Sequence, residues 1–217
     1  MVVTETSYPV LIPGVDLLNH ARAHAVTWEV SPLSSGLSLA LKQHLPTSQA
    51  AELFNNYGPK SNASLILGYG FALENNPDDT ITLKMGGTST SHEVGRSSTG
   101  ADTLWTDLRH VVLQSIQEEG QQRQGDDNQD LALTFDVDLQ TAEVLSEMVE
   151  TLLERIPSAR EMPTSRVRQD VLTMWKWYVR GQRDILEDLL RWTRRKEKEV
   201  LAAAKEVGIQ FEAEDDE

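Results

Sequence analysis

The sequence predicts an α+β protein in which a small β-rich N-terminal part is followed by an all-α C-terminal part. Three observations carry this. Residues 1–85 hold short runs of alternating apolar and polar residues set between Pro, Gly and Asn turns. From residue 134 onward apolar residues recur at helical spacing. The stretch between them, 86–133, is polar apart from one amphipathic run.

Residues 8–13 read as an extended segment entering the Pro13-Gly14 turn, and Asp16 to His20 as one helical turn or a tight loop. Residues 24–30 and 36–42 alternate as half-buried strands do, and Ala51 to Asn56 is a third strand candidate. A helix begins at Ser61, with Ser61 or Asn62 as its N-cap, and stops near Gly68 or Gly70. Thr80 to Met85 is a further strand. Residues 86–100, rich in Gly, Ser and Thr, read as a loop or linker.

Leu104, Leu108, Val111, Val112 and Ile116 share one face of a helix over 102–116. Gly120 to Asp130 is polar, of low complexity and expected to be mobile. Helix resumes over about 139–156, with Leu145, Val149, Leu152, Leu153 and Ile156 on one face, before Pro157 and Pro163. Ser165 to Val207 is the most helical segment, with a break or bend at Gly181 and a stop at Gly208. Trp175, Trp177, Tyr178 and Trp192 read as core at that spacing. Arg191, Arg194, Arg195, Lys196 and Lys198 read as a solvated face with glutamate partners.

A length of 217 residues suits one large domain or two small ones, and 39% hydrophobic residues suffice for a core outside the polar stretches. The net charge of -14 and pI near 4.8 argue against direct nucleic-acid binding, whose affinity rests on basic patches. There are no cysteines, which excludes disulfides and thiolate zinc sites. No apolar run has the length of a membrane span, and Met1 to Tyr8 lacks the features of a signal peptide. The expectation is a soluble nuclear or cytoplasmic protein.

The densest motif is Asn55-Asn56-Tyr57-Gly58-Pro59-Lys60-Ser61-Asn62, followed by Leu65-Ile66-Leu67-Gly68-Tyr69-Gly70-Phe71. Upstream lies Pro13-Gly14-Val15-Asp16-Leu17-Leu18-Asn19-His20. Together these resemble the C-terminal half of a SET-domain methyltransferase of the branch typified by the Rubisco large-subunit lysine methyltransferase. Tyr178-Val179-Arg180-Gly181-Gln182-Arg183-Asp184-Ile185-Leu186 resembles the Tyr-x-x-Gly-Gln-x-x-Ile-Leu signature of that branch's helical substrate-binding domain. The lack of cysteine favours this branch over SET enzymes with zinc clusters. The resemblance divides the chain into a partial SET domain (1–85), a linker with one helix (86–133), the helical domain (134–211) and an acidic tail (212–217).

That resemblance implies methyl transfer from S-adenosylmethionine to a lysine side chain of a protein substrate. Such a displacement is governed by alignment of donor, methyl and amine. It needs a neutral amine, which an apolar channel favours by desolvation. Tyr57 corresponds to the tyrosine facing the transferred methyl; an isolated Tyr-Gly pair reads as a turn, and the extended match overrides that. Asn19 and His20 correspond to the Asn-His pair at the cofactor's amino-acid and adenine ends. They lie about 40 residues before Tyr57, and the two segments are expected to pack together in a pseudoknot.

Asp16 corresponds to an acidic position near the lysine channel, with a solvated turn residue as the equal alternative. Tyr69 and Phe71 correspond to aromatic positions lining the cofactor and lysine pocket, with plain core packing as the rival. Asn62 reads as a helix cap rather than a cofactor contact. No metal site is expected, because no second His or carboxylate sits at ligand spacing from His20.

The family's Gly-rich first strands have no counterpart before Pro13. A truncation, a natural short relative and a half completed by a partner or by a missing N-terminal half all remain open. Two further readings stand beside the lysine methyltransferase: a catalytically inactive truncated SET protein serving as an interaction module, and a protein-histidine methyltransferase.

Overall fold

Val26 and Trp28 alternate with Thr27 and Glu29 along strand β1 (Val26–Val30), which pairs antiparallel with β2 (Leu37–Leu41). The register sets Trp28 opposite Leu39 and Glu29 opposite Ser38, so the two chemistries fall on opposite faces. The structure is a computed structural model that describes residues 14, 17–24, 26–30, 36–41, 52–85, 90–119, 127–158, 167–209 and 211. These form two compact units, Met1–Lys60 and Ser61–Glu217. The architecture is α+β.

In the first unit the Ala51–Asn56 strand candidate reduces to a single parallel bridge between Asn55 and His20. The Asn55 side chain accepts its neighbour's amide, Asn56 N–H, at 2.7 Å, which turns the chain out of a longer ladder. Leu17 lies in a turn; residues 8–13 and Asp16 are outside the described residues.

The second unit opens with α1 (Asn62–Tyr69), an eight-residue helix. The cap is Ser61, whose side chain accepts from Ser64 N–H at 3.3 Å. The helix stops at Gly70, in the left-handed region at φ 76°, with its N–H donating to Ile66 O at 3.1 Å. Strands β3 (Thr80–Lys84) and β4 (Ser91–Gly95) then form an antiparallel hairpin.

The presence of β4 corrects the reading of 86–100 as loop. Its composition is turn-like, but His92 and Val94 are buried while Ser91 and Glu93 are exposed, the period of two that a strand on a core requires. After it, a 3-10 turn at Arg96–Ser98 leads to Gly100, where a Cβ would stand 2.4 Å from Glu93 O.

Three helices complete the unit: α2 (Ala101–Glu119), α3 (Asp127–Arg155) and α4 (Gln169–Glu206). The α3 helix begins about a dozen residues before the predicted start. Once its C-terminal half is packed, extending it costs far less than nucleation would. Residues 120–126, 159–166 with Pro163, and the tail 212–217 lie outside the described residues.

One core joins the hairpin and the three long helices: Ile81, Leu83 and Val94 from the hairpin, Leu104 and Leu108 from α2, Leu145 and Val149 from α3, and Ile185 and Leu189 from α4. Trp192 is buried in it, edge-on to Trp105 at 5.8 Å. Trp175, Trp177 and Tyr178 are only half-buried, and Tyr178 borders a pocket it shares with Ile81 and Leu83 of the hairpin. In the basic cluster Arg191, Arg194, Arg195 and Lys198 are exposed; Arg194 and Lys196 have glutamate partners, Glu150 and Glu199, whereas Arg191 pairs with Asp188 and Lys196 also lies over the Trp192 ring.

Gly181 is not a break, since α4 runs through it without interruption. It is a close-approach position: a Cβ there would stand 2.5 Å from Asp79 Oδ2. Gln182 donates to Thr80 O at 3.3 Å, and Asp188 accepts from Ser97 N–H at 3.2 Å. The Gly-Gln signature is therefore where α4 seats on the chain segment around β3 and β4.

Candidate functional site

The first unit brings three of the predicted site residues together. Asn55 N–H donates to Asn19 O at 2.8 Å and Ala21 N–H to Asn55 O at 2.9 Å, a parallel pairing between segments far apart in sequence. The pairing carries Asn19 and His20 beside Tyr57. His20 Nδ1 accepts the Tyr57 N–H at 3.1 Å, and the two rings stack at 5.0 Å with 24° between their planes. An imidazole that accepts at Nδ1 carries its proton on Nε2 when neutral.

The Tyr57 hydroxyl donates to Leu18 O at 2.7 Å. Its oxygen is thereby turned into an acceptor. Gly58, at φ 85°, lets the chain turn immediately after Tyr57, and its N–H is held by the Asn56 side chain at 3.0 Å. Asn19 is exposed, and its amide nitrogen donates to Glu52 at 2.6 Å. That bond orients the Asn19 amide so that its oxygen presents the remaining polar end.

In the second unit Tyr69 and Phe71 flank the C-cap Gly70, with ring centroids 6.2 Å apart. Tyr69 is 49% exposed, so plain core packing does not account for it; Phe71 is half-buried. The segment that carries them is closed by Asn62. Its side chain accepts from Leu73 N–H at 2.8 Å and donates to Leu73 O at 2.9 Å. Asn62 is fully buried and does not cap the helix, which corrects the sequence reading.

Asn62 is held in turn by Asp79, whose carboxylate accepts from Asn62 N–H at 2.6 Å and from its side-chain amide at 3.1 Å. Asp79 is 1% exposed. Arg96 approaches it at 3.6 Å, bonds Asn76 O at 2.8 Å and pairs with Asp184 of α4 at 3.1 Å. Burial pushes the Asp79 carboxyl above the ordinary carboxylate range, against the Asn62 hydrogen bonds and the Arg96 charge.

Sequence reasoning missed Glu52, Asp79 and Arg96. Asp79 sits in Asn-Asn-Pro-Asp-Asp, which reads as a solvated turn, and no local signal announces its burial. Asp16 lies outside the described residues. Among the described residues no group of three His, Cys, Asp or Glu is arranged to hold a metal ion.

A SET-type fold is what this arrangement resembles, and the solved structures agree. The SET domain of LSMT bound to methyllysine and AdoHcy superimposes with a TM-score of 0.60 at 19% identity, covering 93% of this chain and 55% of that one. The same domain bound to lysine and AdoHcy gives 0.63 at 19% identity, covering 96% and 56%.

Relatives in sequence include ribosomal lysine N-methyltransferase set10 of Schizosaccharomyces pombe, 43% identical over 79 residues, or 36% of this chain and 14% of that protein. Ribosomal lysine N-methyltransferase 1 of Saccharomyces cerevisiae is 42% identical over 76 residues, 35% of this chain and 12% of the relative. N-lysine methyltransferase SETD6 of Mus musculus is 37% identical over 83 residues, 37% and 17%. The chain thus spans less than a fifth of these relatives' length. No protein-family profile matches it. Sequence matches and fold both support the Rubisco large-subunit methyltransferase-like branch of SET proteins as what this chain resembles.

Proposed function

We propose that the chain is part of an S-adenosylmethionine-dependent protein-lysine N-methyltransferase, acting on a lysine of a protein substrate in the nucleus or cytoplasm. The observation that carries this is the parallel pairing of His20 with Asn55, which sets Asn19 and His20 against Tyr57. The named relatives and the ligands of the solved SET domains support the same reading.

The residues fit the cofactor. Asn19, with its amide nitrogen on Glu52, offers an oxygen to an ammonium group. His20 brings backbone polar groups and a half-buried ring. When bound, S-adenosylmethionine supplies a methyl group on positively charged sulfur.

Tyr57 then has two tasks. Its oxygen accepts from the lysine amine or touches polarised C–H groups, because its own proton is given to Leu18 O. Its ring shields the site from water on one side. By the resemblance Asp16 would bond the incoming ammonium, and Tyr69 and Phe71 would be aromatic cofactor contacts. In this reading α3 and α4 form the arm that docks the protein substrate, and a further segment or partner completes the cofactor pocket.

The test is transfer of a labelled methyl group from S-adenosylmethionine to protein lysines, read by mass spectrometry, with Tyr57→Phe alongside. Labelled lysine that disappears in the variant supports the reading. Labelled histidine would move the substrate to that side chain. A folded chain with neither cofactor binding nor transfer would be an interaction module instead.

A further inference from the structure

We propose that Asp79 is a positioning residue through which helix α4 sets the geometry of Tyr69 and Phe71. The proposal rests on the reading of those two rings as cofactor contacts, but its structural half can be tested without it.

The links are short. Tyr69 and Phe71 project from the C-terminal end of α1 and its cap, a segment whose two ends, Asn62 and Leu73, are tied by reciprocal hydrogen bonds of 2.8 and 2.9 Å. Asn62 fixes where this segment begins and ends. Asp79 grips Asn62 by both main chain and side chain. The Oδ2 that takes the Asn62 side-chain amide also faces Gly181, where even one methyl group would meet it at 2.5 Å and Arg96 Nη2 at 3.4 Å. Asp184, one turn along α4, takes the other end of Arg96 at 3.1 Å.

A carboxylate with so little exposure has few alternative arrangements. Its partners lie on three elements, and close packing leaves no slack between them. A shift of α4 at Gly181 must therefore displace Asp79, then Asn62, then the segment. This gives the Gly181-Gln182 signature a role other than substrate contact: it is the seat that holds the aromatic segment in register with the arm. Reciprocally, a ligand that immobilises Tyr69 and Phe71 favours the seated position of α4.

The experiment compares wild type with Gly181→Ala and Arg96→Lys in the full 217-residue chain. Ser115→Ala on the exposed face of α2 is the control. Two readouts are taken: ring resonances of Tyr69 and Phe71 by NMR, with the Trp192 indole as a core reference, and calorimetric affinity for S-adenosylmethionine. Both variants are expected to move the Tyr69 and Phe71 signals and weaken binding by about 10- to 100-fold, while Trp192 and the control stay in place.

Variants that melt earlier but keep wild-type ring signals and affinity would overturn the proposal, since the seat would then be merely structural. Should Gly181→Ala not fold, Arg96→Lys decides, because it keeps the charge and adds no atom to the packed seat. If wild type binds no cofactor, the ring signals still decide the positioning claim, and only the functional reading fails.

Discussion

The Tyr57 hydroxyl donates its proton to the main-chain oxygen of Leu18 at 2.7 Å. A side chain at one end of the motif thus holds the backbone just ahead of the Asn19-His20 pair. The bond does more than hold: it fixes the direction of the hydroxyl, so that whatever approaches the oxygen meets an acceptor.

Tyr57→Phe removes that tie and the acceptor together. The chain should lose about 1 kcal/mol of stability and remain folded. Methyl transfer should fall by about 100-fold or more while cofactor affinity changes little. Single-turnover transfer and a calorimetric titration on the same samples check the split.

Two neighbouring substitutions at the start of α1 should differ in cost. Ser61→Ala removes one capping bond, worth about 1 kcal/mol. Asn62→Ala strands Leu73 N–H, Leu73 O and half of the Asp79 grip in a buried site, and should cost about 2–4 kcal/mol. Urea denaturation measures both, and hydrogen exchange at Leu73 should speed up only in the second variant.

Asp79 gives an unusual pH dependence. Burial raises its folded pKa, so the folded chain holds this proton more tightly than the unfolded chain does. Its contribution to stability is fully present below the ordinary carboxylate value. It is lost as pH rises through the raised folded value, opposite in sign to a salt-bridged surface carboxylate. Asp79→Asn removes the component. Urea midpoints measured upward from about pH 4 should show wild type losing ground to the variant as pH rises. A wild-type advantage that grows with pH would contradict the assignment.

Core and surface leucines should separate cleanly. Leu145→Ala, at a fully buried position, should cost about 2–5 kcal/mol. Leu67→Ala, at a residue 92% exposed, should stay within about 0.5 kcal/mol. Chemical denaturation midpoints report both.

The helices were legible because their signal is a stripe of residues that the core then buries. Leu104 and Leu108, Leu145 and Val149, Ile185 and Leu189 all read directly from spacing. The β4 strand was not legible, since Ser91-His92-Glu93-Val94-Gly95 has a single large apolar residue and owes its state to pairing with β3. Gly181 was misread as a bend because its reason lies in Asp79, roughly a hundred residues away in sequence.

Within the candidate site, Asn19, His20 and Tyr57 were found by their motif, and the structure shows them side by side. Their anchors, Glu52 and the Leu18 carbonyl, carry no sequence signal. Asn62 was misassigned as a cap because an Asn at a helix start usually is one.

Titrating S-adenosylmethionine into the 217-residue chain by calorimetry, with Asn19→Ala as the comparison, tests the account most directly. Saturable binding that is lost or strongly weakened in the variant is the predicted result. A folded wild-type chain that takes up no cofactor, or an Asn19→Ala variant that binds as well as wild type, would contradict the claim that the paired segments around His20 and Asn55 build a cofactor site.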